Sequence, residues 1–214
     1  MKITKELLKE KGACAAGYRD FLKEYPVDKY PDGVEYQELL DCCAEKDFSY
    51  GSWLLGAFGK TDEVRKIDGD LIVEKGIIFA GQLEVKGCIE AGEDIEAGCG
   101  IKAGCGIEAG CGIKAGEDIE AGRGIKAGDG IEAGWGIEAG NGIKSVGGIK
   151  AGWSIKAGWG IEAGDGIEVG DEFGIYAGLC CRITNKTQRK IIAKNRPENI
   201  MCGEFEEKKD DAVR

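Results

Sequence analysis

The chain has no histidine, only three prolines and only two methionines among its 214 residues. Without histidine it lacks a common zinc ligand, and no CxxC pair stands in for it, so no structural zinc site or other metal is expected. Scarce proline, and glycine that does not recur at every third position, exclude a collagen-like chain despite 37 glycines. No uninterrupted apolar run reaches the roughly 18 residues of a membrane span. The opening, Met1-Lys2-Ile3-Thr4-Lys5-Glu6-Leu7-Leu8, enters a charged amphipathic pattern without the apolar stretch of a secretory leader. The expected compartment is therefore cytoplasmic, with no membrane partner. The ten cysteines are too sparse for a small secreted disulfide framework, and they are read as reduced thiols.

Charge is unevenly spread. Residues 1–66 hold 11 basic and 13 acidic side chains, residues 67–180 hold 9 and 20, and residues 181–214 hold 9 and 6. The net charge of −10 therefore belongs to the middle of the chain. Such a surface repels nucleic acid and attracts basic partners.

The apolar spacing changes near residue 62. Before it, a helical period dominates. Thr4 is placed to cap a helix carrying Leu7 and Leu8, which Gly12 ends. A second helix carries Ala15, Tyr18, Phe21 and Leu22, and stops at Pro26 and the Tyr30-Pro31-Asp32-Gly33 turn. A third carries Tyr36, Leu39, Leu40 and Cys43. Asp47 is placed to cap a fourth, with Trp53, Leu54, Leu55 and Phe58, ending near Gly59.

After residue 66 the period is six. Isoleucine stands at every sixth position from Ile89 to Ile167, fourteen times in succession. Alanine follows two residues later except at Ser145 and Val169, and glycine comes next except at Val146. Looser versions run upstream through Leu71/Val73, Ile77/Phe79 and Leu83/Val85, and downstream through Phe173/Ile175 to Leu179. Isoleucine and alanine two apart face one side of a short strand, and the Glu or Lys between them faces the other. The Gly-x-Gly step reads as a turn that exploits glycine's dihedral freedom. Three strands and three turns close a triangular coil of about 18 residues. The segment 67–179 then makes about six coils, a rod roughly 30 Å long.

The fold class expected is α+β. A small helical domain (residues 1–62) precedes a parallel β-solenoid (67–179), and a C-terminal cap and tail (180–214) follows. The cap is predicted as a β-hairpin over residues 189–205, with residues 206–214 frayed.

Stacking at 18 residues sorts the outward side chains. One face reads Glu96, Lys114, Glu132, Lys150, Glu168, an alternating ladder, and the others are mixed. Most acidity falls on the turns, where one edge gathers Glu93, Asp94, Asp129 and Asp165. Trp135, Trp153 and Trp159 also hold outward turn positions. Trp135 and Trp153 stack on one corner and Trp159 lies on the next. Exposed tryptophan is enriched at binding surfaces. These seven residues are the candidate partner-binding set. Cys99, Cys105 and Cys111 fall on three different corners, too far apart for disulfides.

The repeat resembles that of hexapeptide-repeat acyltransferases and related sugar enzymes over about half the chain. Their general base is a histidine, which is absent here. No nucleophile–base pair, phosphate loop or inserted acceptor loop is present, so no catalytic residue and no cofactor are expected. The stretch Ile67-Asp68-Gly69-Asp70-Leu71-Ile72-Val73-Glu74-Lys75-Gly76 resembles bactofilin-type proteins, which polymerise through solenoid ends. The arrangement of Thr4-Lys5-Glu6-Leu7-Leu8-Lys9-Glu10-Lys11-Gly12-Ala13-Cys14 before a solenoid is similar to proteins of phage and prophage origin. Together these imply a non-catalytic acidic binding protein. Its partner would be a protein with a basic surface, such as a host defence complex whose nucleic-acid-binding surface is occluded. The alternatives are a self-assembling or homodimeric scaffold and a degenerate acyltransferase-like binder.

Overall fold

The computed structural model describes residues 1–179 and 189–208. Four helices open the chain: α1 Lys5–Glu10, α2 Ala15–Glu24, α3 Tyr36–Lys46 and α4 Phe48–Phe58. Their ends follow the sequence signals. Thr4 Oγ1 accepts the Leu7 N–H at 3.3 Å, and the Asp47 carboxylate accepts the Ser49 N–H at 3.1 Å. Gly59 ends α4 with φ 82°. Leu8, Phe21, Leu39, Leu40 and Leu54 bury in one core. A two-stranded antiparallel ribbon, Lys2–Ile3 with Val34–Glu35, closes this unit. None of the described helices is long and apolar enough to cross a membrane.

The rest is a three-sided parallel β-solenoid. Face one runs from Val64–Ile67 to Ile200–Cys202 and face two from Leu71–Val73 to Glu204–Glu207, each with eight strands. Face three runs from Ile77–Phe79 to Ile167–Val169 with six. Successive strands of a face pair in parallel 18 residues apart, as Ile107 with Ile125 and Ala109 with Ala127. The isoleucines and alanines fill the bore, almost all below a few per cent exposure. The rod is longer than the six coils expected, because strands before residue 67 and after residue 189 join its faces.

The glycines do a different job from the one predicted. Within the repeats from Gly92 to Gly170 no glycine has positive φ; the positive-φ glycines described are Gly12, Gly33, Gly59, Gly178 and Gly203. Space is what the first glycine of each repeat supplies. A Cβ on Gly128 would sit 1.8 Å from the carbonyl oxygen of Gly110 in the coil below, and one on Gly116 would sit 2.1 Å from that of Gly98. The second glycine is freer: a Cβ on Gly124 has its nearest neighbour at 3.2 Å, and one on Gly166 meets nothing within 4 Å. Where Ser145-Val146 breaks the motif, the buried Ser145 hydroxyl donates to the carbonyls of Asp129 and Gly148, and Val146 is turned outward.

At each end of the bore an arginine lies against a phenylalanine. Arg65 is in register with the inward Leu83. Its guanidinium lies 4.6 Å from the Phe79 ring centroid and 3.5 Å from the Asp41 carboxylate on α3. Arg196 lies 5.9 Å from the centroid of Phe205, which continues the column of Ile191. The helical unit also covers the open edge of face three. Gln37 Nε2 donates to the Ile78 carbonyl at 2.7 Å and Gln37 Oε1 accepts the Ala80 N–H at 3.1 Å, as a neighbouring strand would. Ile78 occupies the outward mid-strand position that the repeats give to Glu or Lys, and it is buried in the helical core.

The C-terminal strands form, but not as a hairpin. Lys190–Ala193 joins face two beside Ile161 and Ile200–Cys202 joins face one beside Ile175. Glu204–Glu207 pairs in parallel with Lys190–Ala193. A hairpin would leave the solenoid's last strands unpaired, whereas continued winding satisfies them and extends the apolar column. Of the tail expected to fray, Glu206 and Glu207 lie in a strand and the Lys208 N–H donates to Ala193. Residues 209–214 lie outside the described residues.

Candidate functional site

The seven residues singled out in the sequence fall on opposite sides of the rod. Glu93, Cys111, Asp129, Gly147 and Asp165 form one corner column, linked by successive N–H to carbonyl bonds, between faces two and three. Cys99, Glu117, Trp135 and Trp153 form the corner between faces three and one, and Cys105, Arg123, Asn141 and Trp159 the corner between faces one and two. The tryptophan corners therefore border the same face, face one, and the acidic corner lies opposite it. No flat partner surface covers both.

The acids are also less available than their clustering suggests. Lys75 Nζ lies 2.7 Å from Glu93, and that hydrogen bond raises the Lys75 pKa above its ordinary value. Lys194 lies 2.8 Å from Asp165 and, by hydrogen bond and charge, holds its carboxyl below the usual range. Asp94 turns onto the backbone and accepts the Gly112 N–H at 2.7 Å. Asp118 with Gly136 and Asp70 with Cys88 repeat that arrangement, so an aspartate in the second-glycine position is a staple between coils. Of the four, Asp94 and Asp129 have no ion pair among the described residues, and Asp129 alone has no side-chain hydrogen bond there either. The flat-face charges pair in the expected register, as Lys126 with Glu108 at 2.5 Å and Lys102 with Glu120 at 2.8 Å. Each such pair is worth about 0.2–1 kcal/mol. Glu96 also pairs in register, with Lys114 at 3.7 Å, but unlike the others it is buried by the helical unit and accepts a hydrogen bond from Ser52 of α4.

The tryptophan side is built differently. Trp135 and Trp153 stack with centroids 5.2 Å apart and planes 5° from parallel, and Phe173 continues the column at 5.7 Å. The isoleucine spacing would put Asp171 at this position. Two extra residues before Ile175, which pairs with Ile155, bring Phe173 there instead. Across the face stand Glu138, Lys156 and Tyr176 in one outward column. Trp159 and Leu179 stand on the far corner. Met201 packs on the same end: a Cβ on Gly174 would meet both Met201 Cγ at 2.4 Å and the Tyr176 ring at 3.1 Å.

Thirteen large hydrophobic side chains are exposed among the described residues, and Trp135, Trp153, Trp159, Phe173, Leu179 and Met201 all collect around the last coils of this one face. The three tryptophans are 40–47% exposed. That is a patch rather than scatter, and patches of this kind mark interaction surfaces. Asp171 and Glu172 adjoin it with no ion pair among the described residues, whereas Glu117 below Trp135 is neutralised by Lys60 at 2.6 Å and the Trp159 corner carries Arg123. The sequence reading places Phe173 and Leu179 in the inward repeat register, but the two-residue insertion turns both outward. Tyr176 follows the same insertion, and Met201 is hidden in the sequence because its segment reads as a hairpin. The described cysteines are free thiols.

Comparison of the chain with protein-family models, with curated proteins and with solved structures gave no significant match. The reading of function therefore rests on the geometry.

Proposed function

We propose that the protein is a non-catalytic binding protein that docks a protein partner through the aromatic end of face one. The stacked, exposed column Trp135–Trp153–Phe173 carries this reading. Aromatic side chains fixed by a rigid scaffold lose little entropy on binding and dominate interface energetics. Asp171 and Glu172 beside the column, without ion pairs among the described residues, suit a partner that brings a basic side chain to that edge. If the resemblance to phage proteins reflects descent, occlusion of a nucleic-acid-binding surface would be exerted from this face.

Affinity capture from the native host, comparing three baits, tests the assignment. Trp135→Ala/Trp153→Ala is expected to lose the bound protein. Glu93→Gln/Asp129→Asn/Asp165→Asn is expected to retain it. The reverse pattern would move the site to the acidic corner.

A second reading, a homodimer through the same face, has one observation in its favour. Glu138 and Lys156 are neighbours in the outward column. An antiparallel two-fold centred between them sets each against the other's copy and Trp135 against Trp153. Light scattering over a concentration series separates the two readings, since only the second gives a dimer without another protein.

A further inference from the structure

The helical unit contains a cleft of about 520 Å³ between α2, α3 and α4, on a different part of the molecule from face one. Small residues open it. Gly12, Ala13, Cys14 and Gly17 line one wall at the start of α2, and Cys42 and Cys43 on α3 line the other. A pair of leucines at 42 and 43 would fill the space between them. Phe21, Leu39 and Leu54, all buried, form the floor, and Trp53 stands half-exposed at the rim. A unit of some 60 residues has few apolar contacts to spare, and leaving this much space costs it packing.

The buried part of the lining is uncharged, and the five charged residues that reach the cleft, Asp20, Lys23, Glu24, Lys46 and Asp47, are all exposed at its mouth. Burial pushes the Cys43 thiol up to about 12, and burial together with a hydrogen bond to Cys42 raises the Tyr25 phenol above its ordinary value. At neutral pH neither is ionised, so Cys43 offers no thiolate to attack a substrate or bind a metal. Three of the charges at the mouth are engaged with one another or with the backbone, while Asp20 and Lys23 face solvent. Lys46 and Glu24 pair across the mouth at 2.6 Å, and Asp47 caps α4. A charged guest seated against the buried floor would be dehydrated with no counter-charge beside it, since every charged lining residue lies at the exposed mouth.

We propose that this cleft binds a small uncharged apolar or aromatic molecule. The volume is within the range of small-molecule sites, and neutral thiols and phenols suit a polarisable guest. The site is independent of face one.

Fluorescence titration with N-phenyl-1-naphthylamine, an uncharged apolar probe, tests this on the full-length chain. Saturable binding of one probe per chain is expected, with energy transfer from Trp53 that disappears in Trp53→Phe. Cys43→Leu, which fills the cleft, is expected to weaken binding about tenfold, equivalent to about 1.4 kcal/mol. Trp135→Ala/Trp153→Ala is expected to leave it unchanged. Should Cys43→Leu not fold, Gly17→Ala serves in its place: it favours the helix and narrows the same wall, with its Cβ 3.3 Å from the Tyr50 ring. Non-saturable binding, binding unchanged in the filled cleft, or binding lost with the face-one tryptophans would each overturn the proposal.

Discussion

Gly128→Ala is expected to destabilise the solenoid by about 3 kcal/mol or more, whereas Gly166→Ala stays within about 0.5 kcal/mol of the parent. Both replace a turn glycine of the same repeat family, and neither has positive φ, so dihedral freedom predicts no difference between them. Space does. The new methyl at 128 would lie 1.8 Å from the Gly110 carbonyl oxygen, while at 166 it meets nothing within 4 Å. The Gly110 backbone cannot retreat freely, because the Gly110 N–H is bonded to Ala91 and the Cys111 N–H to Glu93 in the coil beneath. The coils must part instead, and in a nearest-neighbour stack that break weakens cooperativity along the whole rod. Urea unfolding followed by circular dichroism measures both. Equal stability of the two variants would refute the steric role of the first glycine.

Ile78→Asp is expected to cost about 3–5 kcal/mol and to detach the helical unit from the rod. The substitution is mild by the logic of the repeat, where the same mid-strand position carries Glu or Lys. It is severe in place, because Ile78 is 1% exposed in the helical core and packs toward Gly51, where even a Cβ would lie 2.2 Å from its Cδ1. Undocking also removes the Gln37 amide from the edge of Ile77–Phe79. An uncovered sheet edge pairs with other chains. Size-exclusion chromatography with light scattering should show heavier species than the parent, and limited proteolysis should cut between Gly59 and Val64. A variant with the parent's mass and protease resistance would mean that the helices do not guard this edge.

The sequence-based expectations hold where periodicity or capping chemistry is strong. The fourteen isoleucines, the 18-residue coil, the Thr4 and Asp47 caps and the Trp135–Trp153 stack follow from spacing alone. They fail where the determinant lies a coil away. Arg65 masks the first strand, since an arginine in a core register is intelligible only once Phe79 and Asp41 are seen beside it. Arg196-Pro197-Glu198-Asn199 reads locally as a hairpin turn, yet the unpaired strands of the last coil draw the flanking segments into parallel pairing. Asp94 reads as surface acidity because its bond to the Gly112 N–H crosses from one coil to the next. Phe173 joins the aromatic column only through a two-residue insertion that breaks the period.

The most direct test of face one as the binding surface is site-specific photo-crosslinking in the native host. Tyr176 lies at its centre and Asp129 on the opposite corner. With p-benzoyl-phenylalanine replacing Tyr176, ultraviolet light should give a discrete adduct, whose mass distinguishes a second copy from another protein. With the same group replacing Asp129 it should give none. An adduct at 129 and none at 176 would contradict the assignment.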